Sequence, residues 1–388
     1  MRDITITAND AGRRLDRFLR KYLRNASLGE IYKLIRKDVK VDGRRRNESY
    51  MLNEGEVLTL YISDEVLASL TGEGSHGRTG RTGRAGSADP GKTRAASSGK
   101  AKRQFRIIYE DDKVLIVSKP YGLLTHGDSH EKKNHLANQV KDYLIEKGEF
   151  DPRSERVFSP APANRLDRNT TGLVLFGKTS AALKALNEAI REDLTDKYYL
   201  TIACGVIDRD LTLTGSLTKD EKANRVSITA DSDSPAFSAH EADHASAAGA
   251  PAKMRGVITQ VMPRMHFRIS GASEVTLTDI RLVTGRSHQI RAHLAAMGHP
   301  LAGDVKYAHA VNEDTVREAG TVPATRQEVD NINEYFARRY RITTQLLHAQ
   351  RISFAENGLP EEIEYLAGQS FTAPVPPAFE RIMGEHIG

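Results

Sequence analysis

The stretch NRLDRNTTGLVLFGKT, residues 164–179, joins a polar loop to a strand-like apolar run. Asp167 stands between Arg165 and Arg168, shortly before the run LVLF. A carboxylate held between guanidinium groups stays ionised even when it is desolvated, because the opposite charges favour its charged form. Such an Asp in a cleft can attack an electrophilic carbon or stabilise a cation beside it. Taken alone, the pattern is explained at least as well by a structural Asp–Arg cluster at the start of a strand.

The same coupling of an apolar run to a polar loop recurs along residues 105–388. Residues 114–117, within YEDDKVLIVSKPYGLLTHGD, form a continuous apolar run that is typical of a strand buried on both faces. Residues 331–341 are predicted to be helical, and LLHAQRISF, residues 346–354, is predicted to be a strand. Strands and helices mix without a regular βαβ alternation, so the sequence predicts an α+β fold with a mixed, mainly antiparallel sheet. Residues 231–253 are of low complexity and are predicted to be an exposed insertion.

Length and composition set the broad class. With 388 residues, the chain has room for two domains, and its net charge of +5 is compatible with a nucleic-acid partner. Cys204 is the single cysteine, which rules out an intramolecular disulfide and fits a reducing compartment. No apolar run approaches the roughly 18 residues of a membrane span. We therefore expect a soluble cytoplasmic protein.

Residues 1–64 are predicted to form a small, basic α+β domain. The segment RRLDRFLRKYL, residues 13–23, carries an apolar stripe at helical spacing, and Ser27 and Glu30 have the spacing of a capping box for a second helix. Two short basic helices beside a small hairpin suit the RNA backbone, although the same charges could simply be a solvated face. The candidate RNA-contacting residues of this domain are Arg14, Arg17, Lys33 and Arg36.

A linker is predicted between the two domains. Residues 65–104 are rich in Gly, Ser, Thr and Arg, a composition that cannot bury enough apolar surface to offset its chain entropy. This segment contains GSADPGKT, residues 86–93, which fits the phosphate-loop pattern G-x-x-x-x-G-K-[ST]. No strand is predicted before it and no apolar helix face after it. An NTP-driven RNA enzyme is therefore a weak alternative, and no nucleotide cofactor is expected.

A second cluster of polar residues lies in TGRSHQIRAHL, residues 284–294. His288 and His293 are five positions apart and do not share a helix face, so a metal site is not expected. Arg286 and Arg291 suit an anion, either a phosphate or Asp167 itself. Each histidine could instead be a hydrogen-bonded structural residue.

Several segments together resemble the RluA family of RNA pseudouridine synthases. The family motif H-R-L-D-x-x-T-S-G-L corresponds to NRLDRNTTGL, and its K-x-Y motif corresponds to KYYLTIACG. The motif T-G-R-x-H-Q-[IL]-R-x-H, followed by G-H-P-[IL]-x-G-D-x-x-Y, corresponds to TGRSHQIRAHLAAMGHPLAGDVKY. LLHAQRISF and FTAPVPPAF match the closing segments, so the resemblance spans about residues 105–380 apart from the insertion. Residues 12–62 resemble the alpha-L RNA-binding module of a small-subunit ribosomal protein.

The resemblance implies the pseudouridine synthase fold, with a central RNA-binding cleft and no cofactor. Asp167 would be the catalytic aspartate that acts as the C1′–N1 bond of a flipped uridine breaks, by a nucleophilic or an elimination route. Arg291 would pair with Asp167, and Tyr199 would pack against the base and could take a proton. Arg165 would fill the gap left by the flipped nucleotide. The full set predicted to contact RNA is Arg165, Arg168, Arg286, His288, Lys197, Arg14, Arg17, Lys33 and Arg36.

Two positions depart from the family pattern. Asn164 stands where many relatives carry His, which argues against an essential acid–base role there, and Thr171 replaces Ser while keeping the hydroxyl. The resemblance favours large-subunit (23S) ribosomal RNA as the substrate, because the N-terminal module is typical of members with ribosomal targets. A transfer-RNA enzyme and a non-catalytic RNA-binding or ribosome-assembly factor on the same fold are the alternatives. A monomer is expected.

Overall fold

The chain forms two compact units. The computed structural model describes residues 1–72, 103–129, 131–152, 155–220, 225–230, 255–269, 273–308 and 321–386. The N-terminal unit comprises Met1–Arg103, Val140–Pro160 and Thr179–Ala181, and the large unit comprises Gln104–Gln139, Ala161–Lys178 and Ala182–Gly388. The domain bounds expected from the sequence stay a prediction. The N-terminal compact unit also contains residues 140–160, which the sequence assigned to the second domain.

The N-terminal unit contains a small antiparallel sheet in the order β1-β3-β2, together with three helices between residues 1 and 72. Its elements are β1 (Arg2–Thr5), α1 (Leu15–Tyr22), α2 (Leu28–Lys37), β2 (Val39–Val41), β3 (Val57–Leu60) and α3 (Asp64–Thr71).

Local sequence signals account for the first two helices. The predicted apolar stripe is confirmed, because Leu15, Phe18 and Leu19 of α1 are almost completely buried. The predicted capping box is also confirmed: Ser27 Oγ accepts from the backbone N–H of Glu30, and the Glu30 carboxylate accepts from the backbone N–H of Ser27 at 2.8 Å.

Helix α3 corrects the predicted linker. Residues 65–71 are helical rather than part of a linker, because Leu67 of α3 is buried in the core of the unit. The rest of the predicted linker, from residue 73 to residue 102 and including GSADPGKT, lies outside the described residues, as does the predicted insertion at residues 231–253.

The large unit is built on one mixed sheet. Its strand order is β11-β10-β12-β13-β8-β15-β7-β5-β4, with β16 added to β15 and β6 added to β7, while β9 pairs with β14. The strands are β4 (Arg106–Glu110), β5 (Val114–Lys119), β6 (Ala161–Pro162), β7 (Thr171–Gly177), β8 (Thr195–Cys204), β9 (Val206–Ile207), β10 (Leu211–Asp220), β11 (Arg225–Ala230), β12 (Arg255–Arg268), β13 (Glu274–Leu282), β14 (Thr321–Val322), β15 (Leu347–Phe354) and β16 (Ser370–Thr372).

Among the described strand pairs of this sheet, β15 and β7 are parallel and the others are antiparallel. The predicted α+β class with a mainly antiparallel sheet is therefore confirmed. The later helices are α4 (Leu136–Lys147), α5 (Ser180–Arg191), α6 (Gln289–Ala296), α7 (Arg326–Tyr340) and α8 (Pro377–His386), and a 3-10 helix covers Glu361–Leu366.

The central strands follow the predicted patterns. Val114 to Val117 of β5 are fully buried, as expected for a strand covered on both faces. The predicted helix over residues 331–341 lies almost wholly within α7, and the predicted strand over residues 346–354 is β15. In the part of the chain that the structure describes, no helix is both long and apolar enough to cross a membrane.

Candidate active site

Asp167 lies in the loop that leads into β7. The backbone N–H of Thr170 donates to the carbonyl oxygen of Asp167 at 3.1 Å, which closes the loop into a turn. Thr125 Oγ1 donates to the carbonyl oxygen of Leu166 at 2.9 Å and lies 3.1 Å from the backbone nitrogen of Leu166. The Asp167 side chain is 29% exposed. The backbone is thus fixed while the carboxylate remains accessible to a substrate.

Lys119, the last residue of β5, is a completely buried cation beside the same loop. Its Nζ donates to three carbonyl oxygens, those of Leu123 at 2.7 Å, Arg168 at 3.0 Å and Pro120 at 3.2 Å. Burial lowers the pKa of Lys119 to about 7, and the negative charge of Asp167 opposes that shift. One ammonium therefore ties the turn after β5 to the residue that follows Asp167. Sequence reasoning missed this residue, and its only signal was the Lys-Pro pair that ends a buried strand.

Arg291 connects Asp167 to a second, buried carboxylate. Its Nη1 donates to Asp167 Oδ2 at 3.3 Å, while Nε and Nη2 donate to the two oxygens of Asp304 at 2.6 and 2.8 Å. Burial disfavours the charge of Arg291, but the bonds to Asp304 outweigh burial and raise the pKa of the guanidinium. The predicted contact between Arg291 and Asp167 is present in the structure. Asp304 was part of the quoted GHPLAGDVKY segment, yet nothing in its sequence context indicated this pairing.

The start of α6, which carries Arg291, is anchored by Gln289. Gln289 is 1% exposed, and its Oε1 accepts from Thr284 Oγ1 at 2.9 Å and from the backbone N–H of Arg286 at 3.1 Å. Its Nε2 donates to the carbonyl oxygen of Ile258 and to Thr259 Oγ1, both at 3.0 Å. The bonds to Ile258 and Thr259 hold the first turn of the helix against β12, and the other two tie it to the segment before the helix, so Arg291 projects from a rigid base.

Tyr199 is packed into the sheet close to this centre. It lies on β8 and is 7% exposed. Burial raises the pKa of Tyr199, and the charge of Asp167 raises it further. The phenol therefore stays protonated at neutral pH. This state suits packing against a nucleobase and argues against a phenolate that takes a proton.

His288 also lies beside the Asp167 carboxylate. Its Nε2 is 3.7 Å from Asp167 Oδ2, and its Nδ1 is 3.0 Å from the hydroxyl of Tyr307. Tyr307 also lies under Arg291, with the guanidinium carbon 5.0 Å from the ring centroid. The site thus combines one accessible carboxylate with a cation, an imidazole and a buried phenol.

The residues predicted to contact RNA are placed differently from one another. Arg165 is exposed on the Asp167 loop, and Arg168 reaches the carboxylate of Asp128 at 3.3 Å. Arg286 is half-buried just before α6. Lys197 is 7% exposed, and burial lowers the pKa of its ammonium. A buried ammonium offers no surface charge to a phosphate, so Lys197 leaves the proposed RNA-contacting set.

In the N-terminal unit, the predicted basic residues lie on or beside the first two helices. Arg17, Lys33 and Arg36 are exposed, whereas Arg14 is half-buried and pairs with Asp16 at 2.8 Å. The same unit contains a pocket of about 490 Å³ that sequence reasoning did not identify. The basic residues that line it are Arg20, Lys21, Arg24, Lys141 and Arg156.

The two departures from the family motif have structural roles here. Asn164 Oδ1 accepts from the backbone N–H of Leu175 at 2.8 Å, and its Nδ2 donates to the carbonyl oxygen of Leu173 at 3.2 Å. Thr171 Oγ1 lies 2.9 Å from Nδ1 of His348. The amide of Asn164 therefore hydrogen-bonds to the backbone of β7, a role that needs no titratable group.

Among the residues that the structure describes, no group of three or more His, Cys, Asp or Glu side chains could hold a metal ion. Cys204 is a buried free cysteine.

Known proteins share this sequence pattern. Residues 113–296, which include Asp167, Tyr199 and Arg291, match the RNA pseudouridylate synthase family model. A ribosomal large subunit pseudouridine synthase C from Vibrio cholerae is 27% identical over 371 residues, covering 93% of this chain and 91% of that protein. A protein of the same name from Escherichia coli K12 is 29% identical over 325 residues, covering 82% of this chain and 83% of that protein.

A solved structure of human RNA pseudouridylate synthase domain containing 4 covers 72% of this chain and 91% of its own chain, with 18% identity and a TM-score of 0.46. The assignment rests on the family model and on the two bacterial relatives, which extend over most of the chain. Through residues 113–296, the chain belongs to the RNA pseudouridylate synthase family.

Proposed function

We propose that this protein isomerises specific uridines to pseudouridine in large-subunit (23S) ribosomal RNA. The observation that carries the proposal is the accessible Asp167 carboxylate held by the buried guanidinium of Arg291 at 3.3 Å. The names of the bacterial relatives support ribosomal RNA of the large subunit as the substrate. With this substrate, we also propose that the protein acts in the cytoplasm. The monomeric state expected from the sequence stays a prediction.

The reaction needs no external reactant, because it rearranges the substrate. The C1′–N1 bond breaks, the uracil turns, a C1′–C5 bond forms, N1 gains a proton and C5 loses one. Asp167 acts either as the nucleophile that attacks C1′, where positive charge develops, or as the base of an elimination. In the elimination it removes a proton from C2′ as the C1′–N1 bond breaks and returns that proton to C2′ when the C1′–C5 bond forms. Arg291 holds the Asp167 carboxylate through a charge-assisted hydrogen bond, which fixes the reacting group beside the substrate.

The target uridine must leave its helix before Asp167 can reach it. Extruding a base costs a few kcal/mol, which backbone contacts and stacking must offset. The exposed Arg165 is suited to fill the gap in the stack, and the buried Tyr199 is suited to pack against the flipped base. The exposed basic residues of the N-terminal unit supply contacts to phosphates, in keeping with the proposed alpha-L RNA-binding module.

Release of tritium from C5 tests the proposal in vitro. Wild-type protein is incubated with 23S ribosomal RNA labelled with [5-³H]uridine, and the tritium that enters water is counted. We expect release by the wild type, none by Asp167→Asn, and full release by Asp196→Asn. Asp196 is the matched control because it pairs with Arg281 at 2.6 Å outside the site. RNA binding without release by the wild type would support an assembly factor, and release from transfer RNA alone would change the substrate.

A further inference from the structure

A chain of polar contacts leads from the sheet to the catalytic carboxylate through His288. The backbone N–H of Val226 in β11 donates to the hydroxyl oxygen of Tyr307 at 3.1 Å. That oxygen lies 3.0 Å from Nδ1 of His288, and Nε2 of the same ring lies 3.7 Å from Oδ2 of Asp167. The imidazole is thus held between a phenol and a carboxylate, and each ring nitrogen faces one of them.

The surroundings of the ring decide where its proton sits. A neutral imidazole carries one proton, on either nitrogen. If the proton were on Nδ1, the lone pair of Nε2 would face the negative oxygen of Asp167. The proton is therefore favoured on Nε2, and the Tyr307 hydroxyl then donates to Nδ1 while accepting from Val226. Burial lowers the pKa of His288, and the charges of Arg291 and Lys306 lower it further, against the opposing effect of Asp167.

The backbone at His288 is held in an unusual conformation. Its φ of 58° and ψ of 13° lie in the left-handed region, which residues other than glycine adopt only rarely. His288 immediately precedes α6 and stands three positions before Arg291. The residue before the helix and the third residue of the helix therefore present their side chains to the same carboxylate.

Both groups face the same oxygen of that carboxylate. Arg291 Nη1 is 3.3 Å and His288 Nε2 is 3.7 Å from Oδ2 of Asp167. A carboxylate held through one oxygen presents the other oxygen in a fixed direction. Preorganisation of this kind contributes to the rate because a reacting group that is already oriented need not be ordered during the reaction.

We propose that His288 is a positioning residue for the uridine isomerisation: as a neutral imidazole protonated on Nε2, it acts with Arg291 to hold Oδ2 of Asp167 and directs Oδ1 toward C1′ of the target nucleotide. This inference rests on the proposed function. It gives His288 a role at the catalytic carboxylate rather than at an RNA phosphate.

Two amide variants separate this role from a structural one. The amide nitrogen of Gln reaches about as far as Nε2 of His, whereas that of the shorter Asn does not. A positioning role predicts that His288→Gln retains kcat within about fivefold, while His288→Asn and His288→Ala lose about 10–100-fold with KM changed less than threefold. If His288 serves only to hold the left-handed backbone, His288→Asn should retain a higher kcat than His288→Gln, because Asn adopts the left-handed conformation more readily than Gln.

Kinetics and a spectroscopic signature together test the inference. Tritium release by each variant is measured at saturating RNA, and ¹⁵N-histidine NMR records the tautomer of His288, whose signal is assigned by its loss in His288→Gln. We expect a higher kcat for His288→Gln than for His288→Asn and His288→Ala, and a neutral His288 ring protonated on Nε2 in the wild type. Wild-type turnover with equal loss in all three variants, or a ring protonated on Nδ1, would overturn the positioning role alone. Absence of wild-type turnover would instead overturn the proposed function, and the positioning role with it.

Discussion

Arg291 divides its donors between two carboxylates with different exposure. Asp304, which is 1% exposed, accepts from Nε and Nη2, and this fork fixes the plane of the guanidinium. Nη1 is then aimed at Asp167, whose side chain is 29% exposed. The buried carboxylate orients the cation, and the cation in turn holds the carboxylate that we propose reacts.

We predict that Asp304→Asn lowers kcat about 10–100-fold while RNA binding changes little. A charge-assisted hydrogen bond is worth about 1.5–3 kcal/mol, and each 1.4 kcal/mol corresponds to about tenfold in rate. Asp279→Asn is the matched control, because Asp279 forms the same two-bond pair with Arg264, both at 2.8 Å, elsewhere on the sheet. Single-turnover pseudouridine formation measures the effect, and an unchanged rate in Asp304→Asn would contradict the orienting role of Asp304.

Lys119 predicts a pH-dependent stability. Its folded pKa is about 7, whereas a lysine in the unfolded chain titrates near 10.4. Between these values the unfolded state binds more protons, so the free energy of unfolding rises with pH, by at most about 1.4 kcal/mol per pH unit. Lys119→Met lacks this contribution. Urea unfolding of both proteins between about pH 7 and about pH 9 should show the wild type gaining stability relative to the variant. A difference that does not change with pH would contradict the lowered pKa of Lys119.

Among the elements, the parallel pairing of β7 and β15 fixes the strand that directly follows the loop of Asp167. His348 and Ala349 of β15 pair with Thr171 and Gly172 at the start of β7. Gly172 has a φ of 110°, and a Cβ there would lie 2.1 Å from the carbonyl oxygen of Ala349. The two strands approach this closely only because position 172 has no side chain.

We predict that Gly172→Ala destabilises the large unit by about 2–4 kcal/mol, since it combines a steric clash with an unfavourable φ. Gly384→Ala in α8 is the control, because its Cβ would meet nothing within 4 Å and alanine favours a helix by up to about 1 kcal/mol. Thermal unfolding should show opposite shifts for the two variants. Equal midpoints for Gly172→Ala and the wild type would show that the strands can separate at no cost.

Helix α2 carries the charges that we propose contact RNA in the N-terminal unit. Each phosphate contact contributes about 0.9 to the slope of log binding constant against log salt concentration. The double variant Lys33→Ala/Arg36→Ala should therefore reduce that slope by about two. Arg338→Ala is the control, because Arg338 is 79% exposed on α7 and pairs with Glu334 outside the proposed RNA contacts. A slope equal to that of the wild type would remove α2 from the RNA interface.

The elements that the sequence predicted are those specified by local signals. The capping box at Ser27 and Glu30 and the apolar run at residues 114–117 each carry their information within a few residues. Helix α3 was missed because its sequence borders a low-complexity segment, and it is the burial of Leu67 in the core that stabilises it. The resemblance to known proteins suggested that Arg291 meets Asp167 across 124 positions. The fork from Arg291 to Asp304 depends on the tertiary fold and had no local signal.

In the molecule as a whole, the proposed catalytic centre and the exposed basic helices belong to different compact units. Asp167, Tyr199 and Arg291 lie in the large unit, whereas Arg17 and Lys33 lie in the N-terminal unit. We propose that the large unit performs the isomerisation and that the N-terminal unit adds affinity for structured RNA. Removal of the positive charges of these helices should then weaken RNA binding and leave the rate of the chemical step on bound RNA unchanged.

The central claim is that Asp167 catalyses pseudouridine formation at specific positions of large-subunit ribosomal RNA. Chemical mapping of pseudouridines in a strain that lacks the gene tests it most directly. We expect that one or a few pseudouridines disappear, that the wild-type gene restores them and that a gene encoding Asp167→Asn does not. A pseudouridine map that is unchanged by loss of the gene would contradict the account.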